Sequence, residues 1–205
     1  MMRYKSILLL SALMATPLAA SGDIPMVVIG LPFAPETPRP VDSTHPLHHR
    51  IEVGEVEGLP PIVKSSALNV FGAAKRSSVN KALRESVDRM NMLAPDAQAA
   101  KVSLSVRWGG SETPFRIATS NVASATLHYR LARIDDGRIL FERDITTSVK
   151  GGGVDAGMRD DGIVRAAIGA NFASALNCID RAAFGTAPAD CALEPKFSVR
   201  VERRY

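Results

Sequence analysis

Residues 121–149 read NVASATLHYRLARIDDGRILFERDITTSV, and their alternation decides the fold. Asn121 to Ile134 reads as a strand with Ala125, Leu127, Tyr129 and Leu131 on one face. His128 falls on the other. Asp135-Asp136-Gly137 is a turn signal, because Asp side chains bond the local backbone and Gly adopts positive φ at no steric cost. Alternation returns from Arg138 to Val149, which sets Ile139, Phe141, Ile145 and Val149 inward. Two period-2 runs around an Asp-Gly turn predict a long antiparallel hairpin with one buried face.

Working outward, Lys101 to Trp108 alternates in the same way. Val102, Leu104, Val106 and Trp108 face the core, and Gly109-Gly110-Ser111 ends the run. Ile51 to Glu57 is an earlier strand, closed by Gly58-Leu59-Pro60-Pro61. A helical region follows from about Ala67 to Leu93. Its Val79, Leu83, Val87 and Met90 recur at helical spacing and make one apolar stripe. Gly72 and Ser77-Ser78 divide this region into two helices, with Ser77 or Ser78 as a cap for the second.

Beyond the hairpin, Lys150-Gly151-Gly152-Gly153 is a loop. Asp160-Asp161 opens a helix to about Ile179, since acids suit a helix start. Ile163, Ala167, Ile168, Phe172, Ala175, Leu176 and Ile179 form its wide stripe. Phe197, Val199 and Val201 alternate with Ser198, Arg200 and Glu202 as a short edge strand. These elements predict an α+β fold: a largely antiparallel sheet of four to five strands with two main helices on one face. The other sheet face is left to water or a partner.

The N-terminal part sets the compartment. Arg3 and Lys5 precede an uncharged apolar run from Ser6 to Ala20, and Ala19-Ala20-Ser21-Gly22 offers small residues for cleavage. Residues 1–22 therefore read as a secretory signal peptide. The run is too short for a membrane span, and Pro17 interrupts it. Residues 23–50 are a Pro-rich extended segment containing Pro25, Pro32, Pro35, Pro38, Pro40 and Pro46. Its apolar island, Met26-Val27-Val28-Ile29, suits an edge strand or a docking segment. Residues 51–205 make a single α+β domain. The expected product is a periplasmic or otherwise exported protein, soluble once the signal is removed. In an oxidising compartment Cys178 and Cys191 predict a disulfide. The short loop it closes gives roughly 3 kcal/mol of stability in the chain-entropy model.

Composition excludes some function classes. Net charge is +4, two of those charges lie in the leader, and only Arg203-Arg204 resembles a basic block. Aromatic residues are 5% of the chain, so no basic stripe with stacking aromatics points to nucleic acid. The search for catalytic chemistry returns little. There is no Gly-x-Ser-x-Gly elbow, and Gly151-Gly152-Gly153 lacks the Gly-Lys-Ser/Thr ending of a phosphate loop. Asp135-Asp136 and Asp160-Asp161 have local turn and helix-start roles. Trp108 belongs to an apolar strand face. His45, His48 and His49 are the one group with metal-ligand character, and as a site they imply a metal-dependent hydrolase. The competing reading is a solvated loop. A small-ligand carrier, with its pocket between helices and sheet, is a third reading. No cofactor is indicated.

The layout from Ile51 to Ile179 resembles the small envelope auxiliary proteins of Gram-negative bacteria. That group includes transporter-auxiliary and penicillin-binding-protein activator lipoproteins. The pieces that carry the resemblance are Val79-Asn80-Lys81-Ala82-Leu83, Val102-Ser103-Leu104-Ser105-Val106, Tyr129-Arg130-Leu131 through Phe141-Glu142, and Asn171-Phe172-Ala173-Ser174-Ala175-Leu176. No cysteine follows the leader, whereas members of the group commonly carry a lipidated one there. The resemblance implies a non-catalytic adaptor with an envelope protein as partner and peripheral contact with lipid. The expected enzyme activity is none.

Overall fold

The computed structural model describes residues 39–65, 72–114, 119–153, 155–185, 189–192 and 198–200. The leader and the Met26–Ile29 island lie outside the described residues. The elements in chain order are β1 (Ile51–Glu57), β2 (Ile62–Val63), β3 (Ala74–Lys75), α1 (Arg76–Arg89), β4 (Val102–Glu112), β5 (Ser120–Arg133), β6 (Ile139–Gly152), α2 (Ala156–Ala182) and β7 (Ser198–Arg200).

The fold is α+β, with a five-stranded sheet ordered β1-β4-β5-β6-β7. The hairpin is its centre: β5 pairs antiparallel with β6, and β4 pairs antiparallel with β5 on the other side. Both edge strands run parallel to their neighbours, β1 to β4 and β7 to β6. A parallel partner needs a long connection. Here α1 lies between β1 and β4, and α2 between β6 and β7. β2 and β3 make a separate two-stranded antiparallel sheet.

One sheet face is closed by helix. Val102, Leu104, Val106, Ala125, Leu127, Tyr129, Leu131, Phe141, Ile145 and Val149 are buried in a single core with Val79, Leu83, Val87 and Met90 of α1. From α2 come Ile163, Ala167, Ile168, Phe172, Ala175, Leu176 and Ile179. Full burial of a Leu, Ile or Phe side chain contributes roughly 1.5–3 kcal/mol. α2 is long and apolar enough to cross a membrane, but most of its surface is buried in this core. Among the described residues, helices and sheet meet through these buried side chains.

A polar tie registers α2 on the sheet. Buried Asn171 donates through its Nδ2 to the carbonyls of Ala125 (2.9 Å) and Ile145 (2.7 Å), one on each strand of the hairpin. Its Oδ1 accepts from the Tyr129 hydroxyl at 2.7 Å. Burial pushes the Tyr129 phenol well above its ordinary pKa, so the group stays a donor. Leaving such groups unpaired in the core would cost about 1–3 kcal/mol each.

Several local expectations are corrected. α1 begins at Arg76 with Lys75 as N-cap, which makes no side-chain capping bond, so neither Ser77 nor Ser78 is the cap. The residues just before it pair as β3, and Gly72 turns with φ +74° where helix was expected. α2 opens at Asp155, whose side chain accepts from the Met158 amide. Asp160 and Asp161 thus sit more than a turn inside the helix. β4 does not stop at Gly109 but continues to Glu112 through an irregularity at Trp108/Gly110. Ile139 is exposed (47%), because a bulge at Leu140 sets it opposite Ala132 and flips it to the outer face.

Candidate interaction surface

Alternation that buries one face of the hairpin leaves the other in water. The outward residues of β4, β5 and β6 fall into rows fixed by register. Arg107, His128 and Asp144 form one row, and Ser105, Arg130 and Glu142 the next. Thr126 lies opposite Thr146, and Ser124 opposite Ser148. The Thr126 and Thr146 hydroxyls are 2.8 Å apart and share one hydrogen bond. His128 sits between two carboxylates, with Nδ1 2.9 Å from Asp144 Oδ1 and Nε2 3.3 Å from Glu142 Oε1. A neutral imidazole donates to one of them; the imidazolium donates to both. His128 is thus on the wetter face, as the alternation predicts. The result is an array of hydroxyls and of basic and acidic side chains held in register on the open face.

The β1 edge beside it is defended. Glu52, Glu55 and Glu57 are exposed, the register to β4 is irregular between Val53 and Val56, and the Val56 amide donates to Asn80 Oδ1 of α1 at 3.0 Å. Charge and a bulge are the usual means of keeping an edge strand from pairing.

Within the Pro-rich segment, residues 39–50 are described, and there they form consecutive turns laid on the domain. The Val41 and His49 amides donate to the carbonyls of Met90 and Asn91, and Val41 and Leu47 are buried. This strap parts the three histidines. His45 Nδ1 accepts from the Leu47 amide (3.1 Å), which leaves Nε2 to face Asp180 Oδ1 of α2 at 3.0 Å. Its ring also meets Phe184 edge-on, with centroids 4.9 Å apart. The His48 and His49 rings meet edge-on, with centroids 4.1 Å apart, and His49 Nδ1 is 3.1 Å from the Leu93 carbonyl. Among the described residues, no three His, Cys, Asp or Glu side chains are gathered as a metal centre requires. His45 is used as a latch to the end of α2.

Two further polar groupings were not visible in the sequence. At the start of α2, Arg159 is buried and its Nε donates to Asp160 Oδ1 at 2.8 Å. Asn121 reaches the same carboxylate (3.2 Å) and the Pro114 carbonyl (2.8 Å). Asp161 accepts from the Ser65 hydroxyl at 2.8 Å. Burial holds the Arg165 guanidinium below its ordinary value, partly offset by Asp161. An Asp pair next to Arg in an otherwise apolar helical stripe was the available signal. The second grouping surrounds the disulfide, which joins Cys178 of α2 to Cys191. Asn177 donates to the Cys191 carbonyl (2.7 Å), and Arg143 of β6 reaches the Ala189 carbonyl (3.3 Å). The staple therefore fixes residues 189–191 against the sheet.

Comparison with solved structures gives the same fold in protein XCC0632 from Xanthomonas campestris, of the family model DUF330. The TM-score is 0.54 at 12% identity, over 73% of this chain and 95% of that one. Weaker superpositions are found with a candidate lipoprotein from Caulobacter crescentus (TM-score 0.45, 12% identity, 66% and 92% covered). PelC from Paraburkholderia phytofirmans, a dodecamer, gives 0.35 at 15% identity, with 68% and 90% covered. No protein-family model and no curated protein sequence matches the chain. At these identities the likeness to XCC0632 establishes a shared fold.

Proposed function

We propose that this chain is a non-catalytic accessory protein of the cell envelope, exported by its leader and acting by contact of its open sheet face with an envelope protein. The observation that carries the reading is the asymmetry of the sheet. One face is covered by two helices, and the other is an array of Ser, Thr, Arg, His and acidic side chains held in register. Such an array offers complementarity without a reaction chamber. The export signal in the sequence and the buried disulfide agree with an oxidising compartment.

The test is co-purification from envelope extracts, using the wild type, Arg130→Glu with Thr146→Arg on the open face, and Asp88→Lys on α1 as a control. The reading expects a defined set of envelope proteins that the open-face variant loses and the control keeps. An identical set in all three, or none with the wild type, would contradict it.

A further inference from the structure

The small β2–β3 sheet and the start of α1 carry a second surface of different character. Alternation points Val63 and Ala74 into the core and leaves Ile62, Lys64 and Lys75 exposed. Ile62 lies directly opposite Lys75 in register. The Arg76 amide donates to the Pro61 carbonyl at 3.0 Å, which brings the proline beside the helix start. Pro61, Ile62, Lys75, Arg76 and Ser77 line one shallow hollow. Ile62 is held in place from behind: a Cβ on Gly72 would collide with its Cγ2, so only glycine leaves room for it.

The charges here are unusual for a helix start. Lys75 is the N-cap, Arg76 is the first helical residue, and the first turn has no acid. Cations at the positive end of a helix raise its local potential instead of offsetting it. Among the described residues, no carboxylate comes within ion-pair distance of Lys64, Lys75 or Arg76; Lys81, a turn further on, pairs with Glu85 at 3.6 Å. The intervening sequence 66–71, SALNVF, supplies no acid either. Solvent thus meets an exposed isoleucine and proline beside three cations that have no acidic partner among the described residues.

We infer that this patch docks on an anionic phospholipid surface. Ile62 and Pro61 enter the headgroup–acyl boundary, and Lys64, Lys75 and Arg76 engage phosphate-bearing headgroups. A surface apolar in depth and negative at its rim matches both features together. A second copy of the chain would bring like charges together. The inference deepens the envelope reading, since it names lipid as the contact of a face separate from the open sheet.

The experiment is co-sedimentation of the purified exported chain with vesicles of phosphatidylglycerol and phosphatidylethanolamine, and with phosphatidylcholine alone. The wild type should pellet with the anionic vesicles, weakly or not at all with phosphatidylcholine, and less at high salt. Lys75→Gln with Arg76→Gln should weaken binding roughly thirtyfold, the loss expected of two surface cations. Ile62→Ser should weaken it while leaving the salt dependence unchanged. Arg107→Gln with Lys150→Gln, on the open sheet face, should bind as wild type does. Circular dichroism confirms that each variant folds. Failure to bind anionic vesicles, equal loss in the sheet-face control, or a preference for a single-stranded oligonucleotide over vesicles would overturn the inference. None of these results alters the co-purification expected of the open sheet face, so the two readings fail separately.

Discussion

The two faces of the central hairpin differ in what they ask of each side chain. On the covered face, Leu127, Tyr129 and Ile145 are almost fully buried against Ile168, Asn171 and Phe172 of α2. On the open face, one residue along each strand, Thr126 and Thr146 share a hydrogen bond and His128 reaches Asp144. The backbone is shared, so the contrast comes entirely from side-chain parity. Parity thus separates the two faces: the helix-covered one holds the fold together, and the open one is under no such packing constraint.

That contrast can be broken at its strongest point first. Phe172→Ala opens a cavity under the sheet and is expected to destabilise by about 4 kcal/mol in chemical denaturation. Asn171→Ala strips the donors from the Ala125 and Ile145 carbonyls and leaves the Tyr129 hydroxyl buried without its acceptor. The expected loss is about 3 kcal/mol, and Asn171→Leu should not recover it. Replacing Cys178 and Cys191 together by Ala should lower stability by roughly 3 kcal/mol and increase amide exchange around residues 189–191. On the open face the same kind of truncation should do little. Thr126→Ala and Thr146→Ala should each fall within about 0.5 kcal/mol of wild type.

The smallest effect is at the hairpin tip. Arg133, hydrogen-bonded to Asp135, holds that carboxyl below its ordinary range. A depressed folded-state pKa stabilises above the unfolded value and is lost as pH falls through the folded one. Asp135→Asn should therefore cost a little stability near neutrality, and the difference from wild type should vanish as pH falls below about 4, which flattens the acid limb. Full exposure of the pair keeps the effect small.

The sequence made the covered face readable because burial there demands strict alternation. The span of β1, the hairpin and the Val79–Met90 stripe all follow from periodicity alone. Where periodicity is broken, reading fails for a physical reason. The bulge at Leu140 reverses the facing of Ile139, and Gly110, with φ +130°, carries β4 past a point that looked like its end. Two-residue strands such as Ile62–Val63 have no period to detect. Asn171 and Asp161 are polar residues inside an apolar stripe, and their partners come from distant β5, β6 and residue 65. His45 looked like a member of a local trio, but its partner Asp180 lies at the far end of the sequence.

The open sheet face is either a working contact surface or merely the solvated side of a sheet. The most direct measurement is site-specific photo-crosslinking in intact cells, with the reactive residue placed at Thr146 or, separately, at Asp88 on the exposed side of α1. A working contact surface gives a discrete envelope-protein adduct from position 146 and none from position 88. Adducts from 88 alone, or no adduct from 146 with the exported chain folded and present, would contradict it.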